Sequence, residues 1–249
     1  MYFLYFRAKH VIVNAKLYLI PVTLGSADYS FVIPAKVLGI TTSLRKFIVE
    51  DLRSARRFLR MIDPEFPIDD CEFMLLNKHT QPHEIKNMLS ILARGFDTGL
   101  MSEAGIPGVA DPGSKVVILA HEHGIRVIPL SGPSSIFLAL MSSGLNGQNF
   151  AFNGYLPISR NERIKEIKKL ETKAQKGQSQ IFMEAPYRNM KLLDDIAGVL
   201  SNDTYLCIAS SISLPDEFIM TRTVSGWLES EFPDIDKKPT IFIIGVKSV

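Results

Sequence analysis

The sequence predicts an α/β fold made of two α/β subdomains, and three observations predict it. From Leu17 onward, short apolar runs alternate with stretches of helical periodicity, the pattern of parallel βαβ units. Several of the runs end in turns rich in Gly, Pro and Ser, where such sheets place ligands. The regularity then loosens near residues 131–150. That change sets a boundary between an N-terminal subdomain over residues 17–132 and a C-terminal one over 133–249, with residues 1–16 as an extension. The extension reads as an added edge strand.

The elements follow in order. Leu17–Val22 is a buried-strand pattern ending at Thr23–Ser26. Residues 44–62 fit either one helical stripe or a strand, Phe47–Val49, before a helix from Ser54; periodicity leaves both open. Phe73–Leu76 reads as a strand, Asn77–Pro82 as a polar loop and His83–Leu92 as a helix. Asp97–Met101 is a strand. A helix over Ser114–Glu122 stops at Gly124, a C-terminal glycine stop. Ile125–Leu130 is a strand, and a helix follows through Met141 to a stop at Gly144. Beyond it, Phe150–Gly154, Gln180–Met183 and Tyr205–Ala209 are strand-like, and Asn161–Ala174 and Asn189–Leu200 helix-like. Phe218–Thr223 and Thr240–Val246, each with a proline near its start, read as antiparallel edges.

The 249 residues are 46% hydrophobic, enough for a sizeable core, and 28 basic against 26 acidic residues give a net charge of +2. That balance by itself neither demands nor excludes nucleic acid. Cys71 and Cys207 lie far apart and show no metal spacing, so reduced cysteines facing a core are expected. The five histidines suggest no metal. Arg7, Lys9 and His10 interrupt the apolar start, which does not read as a signal peptide, and no run reaches the roughly 18 residues of a membrane span. A cytoplasmic protein is the expectation.

Residues 101–113 read M-S-E-A-G-I-P-G-V-A-D-P-G, with three glycines, two prolines and two carboxylates. Glycine permits positive φ and close backbone approach, and proline fixes φ, so this loop holds a set shape. It follows a strand and precedes a helix whose first amides are free to meet a polar ligand. A cation ~4 Å from Glu103 or Asp111 gains roughly 4 kcal/mol at an effective dielectric near 20. Asp111 and Pro112 also serve simply as turn formers. Three more turns fall at strand ends: P-V-T-L-G-S from Pro21, S-G-P-S-S from Ser131 and G-Y-L-P from Gly154. Neither G-x-G-x-x-G nor a P-loop occurs, which argues against nicotinamide and nucleoside-triphosphate chemistry.

Taken together, S-E-A-G-I-P-G-V-A-D-P-G, H-E-H-G-I-R-V-I-P-L-S-G-P-S-S, S-G-L and N-G-Y-L-P resemble the tetrapyrrole-methylase-like (class III) family of S-adenosylmethionine-dependent methyltransferases. Within it they are most similar to the branch that 2′-O-methylates a cytidine of 16S ribosomal RNA. L-Y-L-I-P-V-T-L-G-S, Glu50-Asp51-Leu52-Arg53 and F-M-E-A-P-Y-R (182–188) extend the resemblance over Leu17–Val246. It implies two α/β subdomains with the methyl donor, S-adenosylmethionine, in the cleft between them, a homodimer, and ribosomal RNA or the small ribosomal subunit as partner. The implied donor-site residues are Pro21, Glu103, Gly105, Pro107, Asp111, Ser134, Ser135 and Leu156. Glu50, Asp51, Arg53 and His79 fall on the implied acceptor side. No catalytic residue is implied.

The chain also departs from the family pattern. Glu103 stands where the family has aspartate, and Ala209–Leu214 lacks the Arg, Glu and Lys of a late A-R-E-L-T-K stretch. Lys238-Pro239 replaces a Gly-Glu pair. Three readings therefore stay open: an RNA 2′-hydroxyl methyltransferase, the same enzyme class with a small-molecule or other RNA acceptor, and a donor-binding protein without catalysis. Basic clustering bears on the first. Residues 161–176 hold six basic and three acidic residues, a net +3, with Lys165, Lys169 and Lys173 spaced along one helical face. Arg53, Arg56, Arg57 and Arg60 form a second cluster. A solvated helix face accounts for such runs equally well.

Overall fold

A computed structural model describes residues 15–247, and it divides the chain into two compact units, Met1–Pro133 and Ser134–Val249. Of the N-terminal extension, Ala15 is buried and Lys16 opens the first strand. The edge strand expected over the rest of it lies outside the described residues.

Unit 1 is a five-stranded sheet in which every pairing is parallel. In chain order it contains β1 (Lys16–Leu19), α1 (Ala35–Ser43), β2 (Lys46–Val49), α2 (Leu52–Ile62), β3 (Glu72–Leu75), α3 (Pro82–Ala93), β4 (Thr98–Met101), α4 (Ser114–Glu122) and β5 (Arg126–Pro129). The two readings of residues 44–62 resolve to a strand and a helix, because Asp51 stops the strand and caps α2, its Oδ1 accepting the Ser54 amide at 2.7 Å. Helix α1 has no counterpart in the sequence reading. Its A-K-V-L-G-I-T-T-S carries a glycine and a β-branched run, both weak helix signals.

Successive residues of a strand send side chains to opposite faces. Ile48 and Leu100 pack with α3 and α4, whereas Phe47, Val49 and Met101 pack with α1 and α2. The strand order is β3-β2-β4-β1-β5. The chain steps outward from β1 to β2 and β3, returns to β4 beside β1, then crosses to β5. The order thus reverses at β1 and β4, and the loops at their carboxyl ends flank the switch point, where doubly wound sheets bind ligands.

Unit 2 contains α5 (Ser135–Ser143), β6 (Phe150–Tyr155), α6 (Arg160–Ala174), β7 (Ser179–Met183), α7 (Asn189–Ala197), β8 (Tyr205–Ser210), β9 (Phe218–Thr223), α8 (Val224–Leu228) and β10 (Thr240–Gly245). Its sheet order is β6-β7-β10-β8-β9, with only β6 and β7 parallel. Strand β9 is the antiparallel edge expected. Strand β10 is not: it lies in the middle, antiparallel to β7 and β8 and buried along its whole length. T-I-F-I-I-G is a continuous apolar run, the signature of a strand covered on both faces, and Pro239 precedes the strand without interrupting its ladder. Cys207 lies in this core, where burial pushes its thiol up to about 11, and Cys71 in unit 1 is half-buried; both are free thiols.

Candidate functional site

Three loops of unit 1 meet at the carboxyl ends of β1, β4 and β5. After β1, the Val22 amide donates to the Gly105 carbonyl at 2.9 Å, a lone antiparallel bridge tying this loop to the one after β4. Pro21 is buried against Gly132 of the β5 loop. A Cβ at Gly132 would sit 2.2 Å from the Pro21 Cβ, so only glycine allows this approach. The sequence reading did not single out Gly132; its one signal was the G-P pair after an apolar strand. Gly105 has φ +71°, and a Cβ there would meet Leu24 Cδ2 at 3.3 Å and the Pro133 carbonyl at 3.4 Å. Pro107 is buried within the loop.

Asp111 binds its own loop with both carboxylate oxygens. Oδ2 accepts the Gly108 amide at 2.7 Å and Oδ1 the Gly113 amide at 2.6 Å. Burial pushes its pKa up, and these amide bonds pull against that push. It therefore shapes the loop before it contacts any ligand. Glu50, at the end of β2, does the same from a distance: its Oε2 accepts the Glu103 amide at 3.1 Å. Burial raises the Glu50 pKa despite that bond, and the nearby Asp111, Glu103 and Asp51 raise it further. None of Glu50, Glu103 and Asp111 forms a salt bridge among the described residues. The loop cluster thus concentrates negative charge on a fixed backbone.

The other acceptor-side candidates of unit 1 spread outward. Asp51 is occupied as the α2 cap, and its Ser54 bond holds its pKa below the usual range. Arg53 is exposed on the first turn of α2. Of its neighbours, Arg56 lies over the Phe73 ring and Arg60 donates to the Pro64 carbonyl. His79 is exposed in the turn after β3, at the far edge of the sheet from β1, where its amide donates to Asn77. Glu50 is thus the candidate of this group that touches the glycine-rich loop.

In unit 2, Ser134 stands at the N-cap position of α5 and Ser135 opens the helix, but neither hydroxyl caps it. Both are half-exposed. Leu156 is different: its side chain is buried in the unit 2 core with Ile167, Leu170 and Phe182, which leaves its backbone for any ligand contact. The loop that carries it is held by Arg163. This guanidinium, 3% exposed, pairs with Asp195 on α7 and donates to the Ile158 carbonyl at 2.8 Å and the Pro157 carbonyl at 3.2 Å. Arg160 also reaches Asp195, at 2.8 Å.

Arg163 therefore does not belong to the basic cluster in which the sequence placed it. Its position falls on the inner face of α6, like that of Ile167. Glu171 also turns inward, accepting from the Ser201 amide and the Thr204 hydroxyl at 2.7 Å. Lys165, Lys169 and Lys173 are exposed together on the outer face, with Lys169 paired to Glu166 at 2.9 Å. Where the family's Arg, Glu and Lys are missing, the chain makes a tight serine turn. Ser211 and Ser213 have positive φ, the Ser211 hydroxyl donates to Asp216, and Lys238 from another segment pairs with Asp216 at 3.2 Å.

No family model matches the chain. Ribosomal RNA small subunit methyltransferase I of Escherichia coli O157:H7 is 30% identical to it over 222 residues, covering 88% of this chain and 73% of the relative. The chain belongs to the ribosomal RNA small subunit methyltransferase I family. The Vibrio cholerae serotype O1 relative of the same name is 29% identical over 206 residues, covering 82% of this chain and 67% of that one. Among solved structures, the cobalamin-biosynthetic cobalt precorrin-4 methyltransferase CbiF aligns with a TM-score of 0.60 at 17% identity, covering 93% of this chain and 95% of its own. The methyltransferase CobJ gives 0.61 at 13%, covering 93% of each. The fold is that of the tetrapyrrole methylases. As a member of the methyltransferase I family, the protein is a methyltransferase. Among the described residues no His, Cys, Asp and Glu group is placed to hold a metal, and no helix is long and apolar enough to cross a membrane.

Proposed function

We propose that this methyltransferase uses S-adenosylmethionine to methylate the ribose 2′-hydroxyl of a cytidine in 16S ribosomal RNA. The observation that carries the reading is the glycine-rich loop after β4, fixed at the switch point of a parallel sheet beside three carboxylates that form no salt bridge among the described residues. The donor, when bound, supplies an electrophilic methyl group on a cationic sulfonium. The loop fits it: Glu103, Glu50 and Asp111 favour positive charge, and Gly105, at φ +71°, gives the loop a close-packed turn that a side chain would strain. Pro21 and Pro107 hold the loop walls, and in unit 2 the proposed donor contacts are Ser134, Ser135 and the backbone at Leu156.

Such a reaction needs alignment more than elaborate acid–base machinery. As the oxygen–carbon bond forms and the carbon–sulfur bond breaks, the 2′-hydroxyl must give up its proton. Glu50, whose pKa is raised by burial, is the acceptor-side carboxylate suited to receive it. Arg53 and His79 lie further out and suit the RNA. Lys165, Lys169 and Lys173 suit phosphates. The family resemblance further supports a cytoplasmic homodimer.

The test is tritium transfer from labelled donor into small ribosomal subunits that lack the modification. We expect label in 2′-O-methylcytidine after nuclease digestion, and donor-product binding in calorimetry that EDTA does not change. Absence of transfer with donor binding intact would move the acceptor to a small molecule or another RNA. The serine turn in place of the family's Arg, Glu and Lys favours that second reading.

A further inference from the structure

Strands β6 and β7 run parallel, with Tyr155 paired to Met183 at their ends, so the loops that follow leave the same edge of the unit 2 sheet. Tyr155 is 58% exposed there and Tyr187, in the short 3-10 turn Pro186–Arg188, is 68% exposed. Tyrosine is enriched at interfaces, where its ring is covered and its hydroxyl stays wet, and here two such rings are exposed at one end of the sheet. Arg188 follows Tyr187 in the same turn. Its guanidinium lies over the Tyr187 ring, 5.3 Å from the ring centre. Its Nη2 pairs with Glu184, a side chain only 1% exposed. Arg188 Nε is buried with no hydrogen-bond partner among the described residues.

The chemistry of this edge is specific. Glu184 also accepts the Ala185 amide at 2.7 Å, so the carboxylate that orients Arg188 is itself fixed. The result is a guanidinium held over one exposed ring, Tyr187, with a second exposed ring, Tyr155, at the same end of the sheet. Flat π-faces beside a planar cation are what an unstacked nucleobase packs against. Three cations near this end of the sheet are paired: Arg188 with Glu184, Lys238 with Asp216, and Lys237 with Asp236 at 3.7 Å. Electrostatic grip on a phosphate chain is therefore weak here, unlike on the outer face of α6. A base, not a backbone, is the group that fits.

We infer that Tyr155, Tyr187 and Arg188 form a stacking site for an unpaired base of the RNA substrate. This rests on the proposed RNA substrate and adds the surface that holds a base out of its stack. The test measures binding of the full chain to a labelled oligocytidylate of about ten nucleotides, within the usual span of single-strand sites, and to the same strand with abasic positions. We expect Tyr155→Ala and Tyr187→Ala each to weaken binding about fivefold or more, with the thermal melting curve unchanged because both rings are exposed. Tyr→Phe at either position should restore affinity, since the ring and not the hydroxyl is used. The abasic strand should bind the parent as weakly as the intact strand binds the Ala variants, and the salt slope should stay that of the parent. If the parent binds the strand and the Ala variants match it, the stacking site is wrong and the RNA reading stands. If Phe loses as much as Ala, the hydroxyl is the contact and stacking is wrong. If the parent binds neither oligocytidylate nor ribosomal subunits, the RNA reading fails and takes this site with it.

Discussion

In unit 1 the loop after β4 is held by its own backbone: Asp111 takes two amides from within the same turn, and Glu50 takes a third. In unit 2 the loop after β6 is held by a side chain from α6, which in turn is held by a carboxylate on α7. The first device works through backbone amides and tolerates partial exposure. The second buries a full ion pair, both partners 3% exposed. The carboxylates of the backbone cradle form no salt bridge among the described residues, whereas the buried pair uses up its charge to fix a shape. The two loops therefore differ in what they leave available: unit 1 offers electrostatics, and unit 2 offers surface.

The largest expected effect breaks the unit 2 device. Asp195→Ala strands the Arg163 guanidinium in the core, which should cost about 3–5 kcal/mol of unfolding free energy. Replacing both partners with apolar side chains of similar volume should recover most of it. Urea denaturation measures both, and a loss under about 1 kcal/mol for the single change would show the pair to be dispensable. The pH dependence carries its sign. Burial works against the ionised Asp195, but its bonds to Arg160 and Arg163 prevail and hold its pKa below the ordinary 3.8. Its contribution is therefore present above that value and is lost as pH falls through the lower folded pKa.

Next comes Gly105→Val in the unit 1 device. A branched side chain at φ +71° is strained and would press on Leu24 and the Pro133 carbonyl. Calorimetry should show donor affinity at least tenfold weaker, about 1.4 kcal/mol, with far-UV circular dichroism unchanged. Full affinity would mean that the ligand does not touch this backbone.

A third change stays on α6 but on its other face. Lys165, Lys169 and Lys173 to Gln should leave unfolding within about 0.5 kcal/mol of the parent, in contrast to Arg163 on the same helix. RNA binding should become less salt-dependent, the log–log slope falling by about 0.7 for each single-strand phosphate that is no longer neutralised. Because Lys169 is already paired with Glu166, it should contribute least. An unaltered slope would reduce this face to a solvated one.

The smallest effect separates the two loops by pH. Glu50 has a folded pKa above its ordinary 4.5, so its ionisation opposes folding, the reverse of Asp195. Glu50→Gln keeps an acceptor for the Glu103 amide and removes the charge. It should stabilise the protein at pH 7 by no more than a few tenths of a kcal/mol, since the site is partly solvated. The gain should vanish below pH 4.5, where the parent's carboxyl is protonated as well. Denaturation at both pH values decides it, and a loss at pH 7 would mean that the charge stabilises the loop.

Much of unit 1 was legible in sequence because its signals are local. Glycine, proline and aspartate determine turn shape within a few residues, so the loop over 101–113 announced itself, and short apolar runs marked β1, β3, β4 and β5, while periodicity left β2 open between strand and helix. Glu50, Glu103 and Asp111 were each singled out in the sequence, and the fold brings them together because β2 and β4 are neighbours in the sheet. What sequence could not show was that Asp111 spends both oxygens on its own loop, that Pro21 sits against Gly132, or that Leu156 points into a core. Each depends on which residue arrives from elsewhere in the chain. The same holds more strongly in unit 2. Spacing along α6 set out a basic helix, but only tertiary packing decided that Arg163 turns inward to Asp195, 32 residues away, while Lys165, Lys169 and Lys173 stay outside. It also put the Thr240–Gly245 strand in the middle of its sheet, because a run apolar on both faces is stable only where both faces are covered. The sequence alone determined most of the elements, their turns and the family likeness, since these follow from short-range backbone and periodicity rules. The fold decided which charges are spent and which remain free, since burial and pairing are properties of neighbours that sequence distance does not encode.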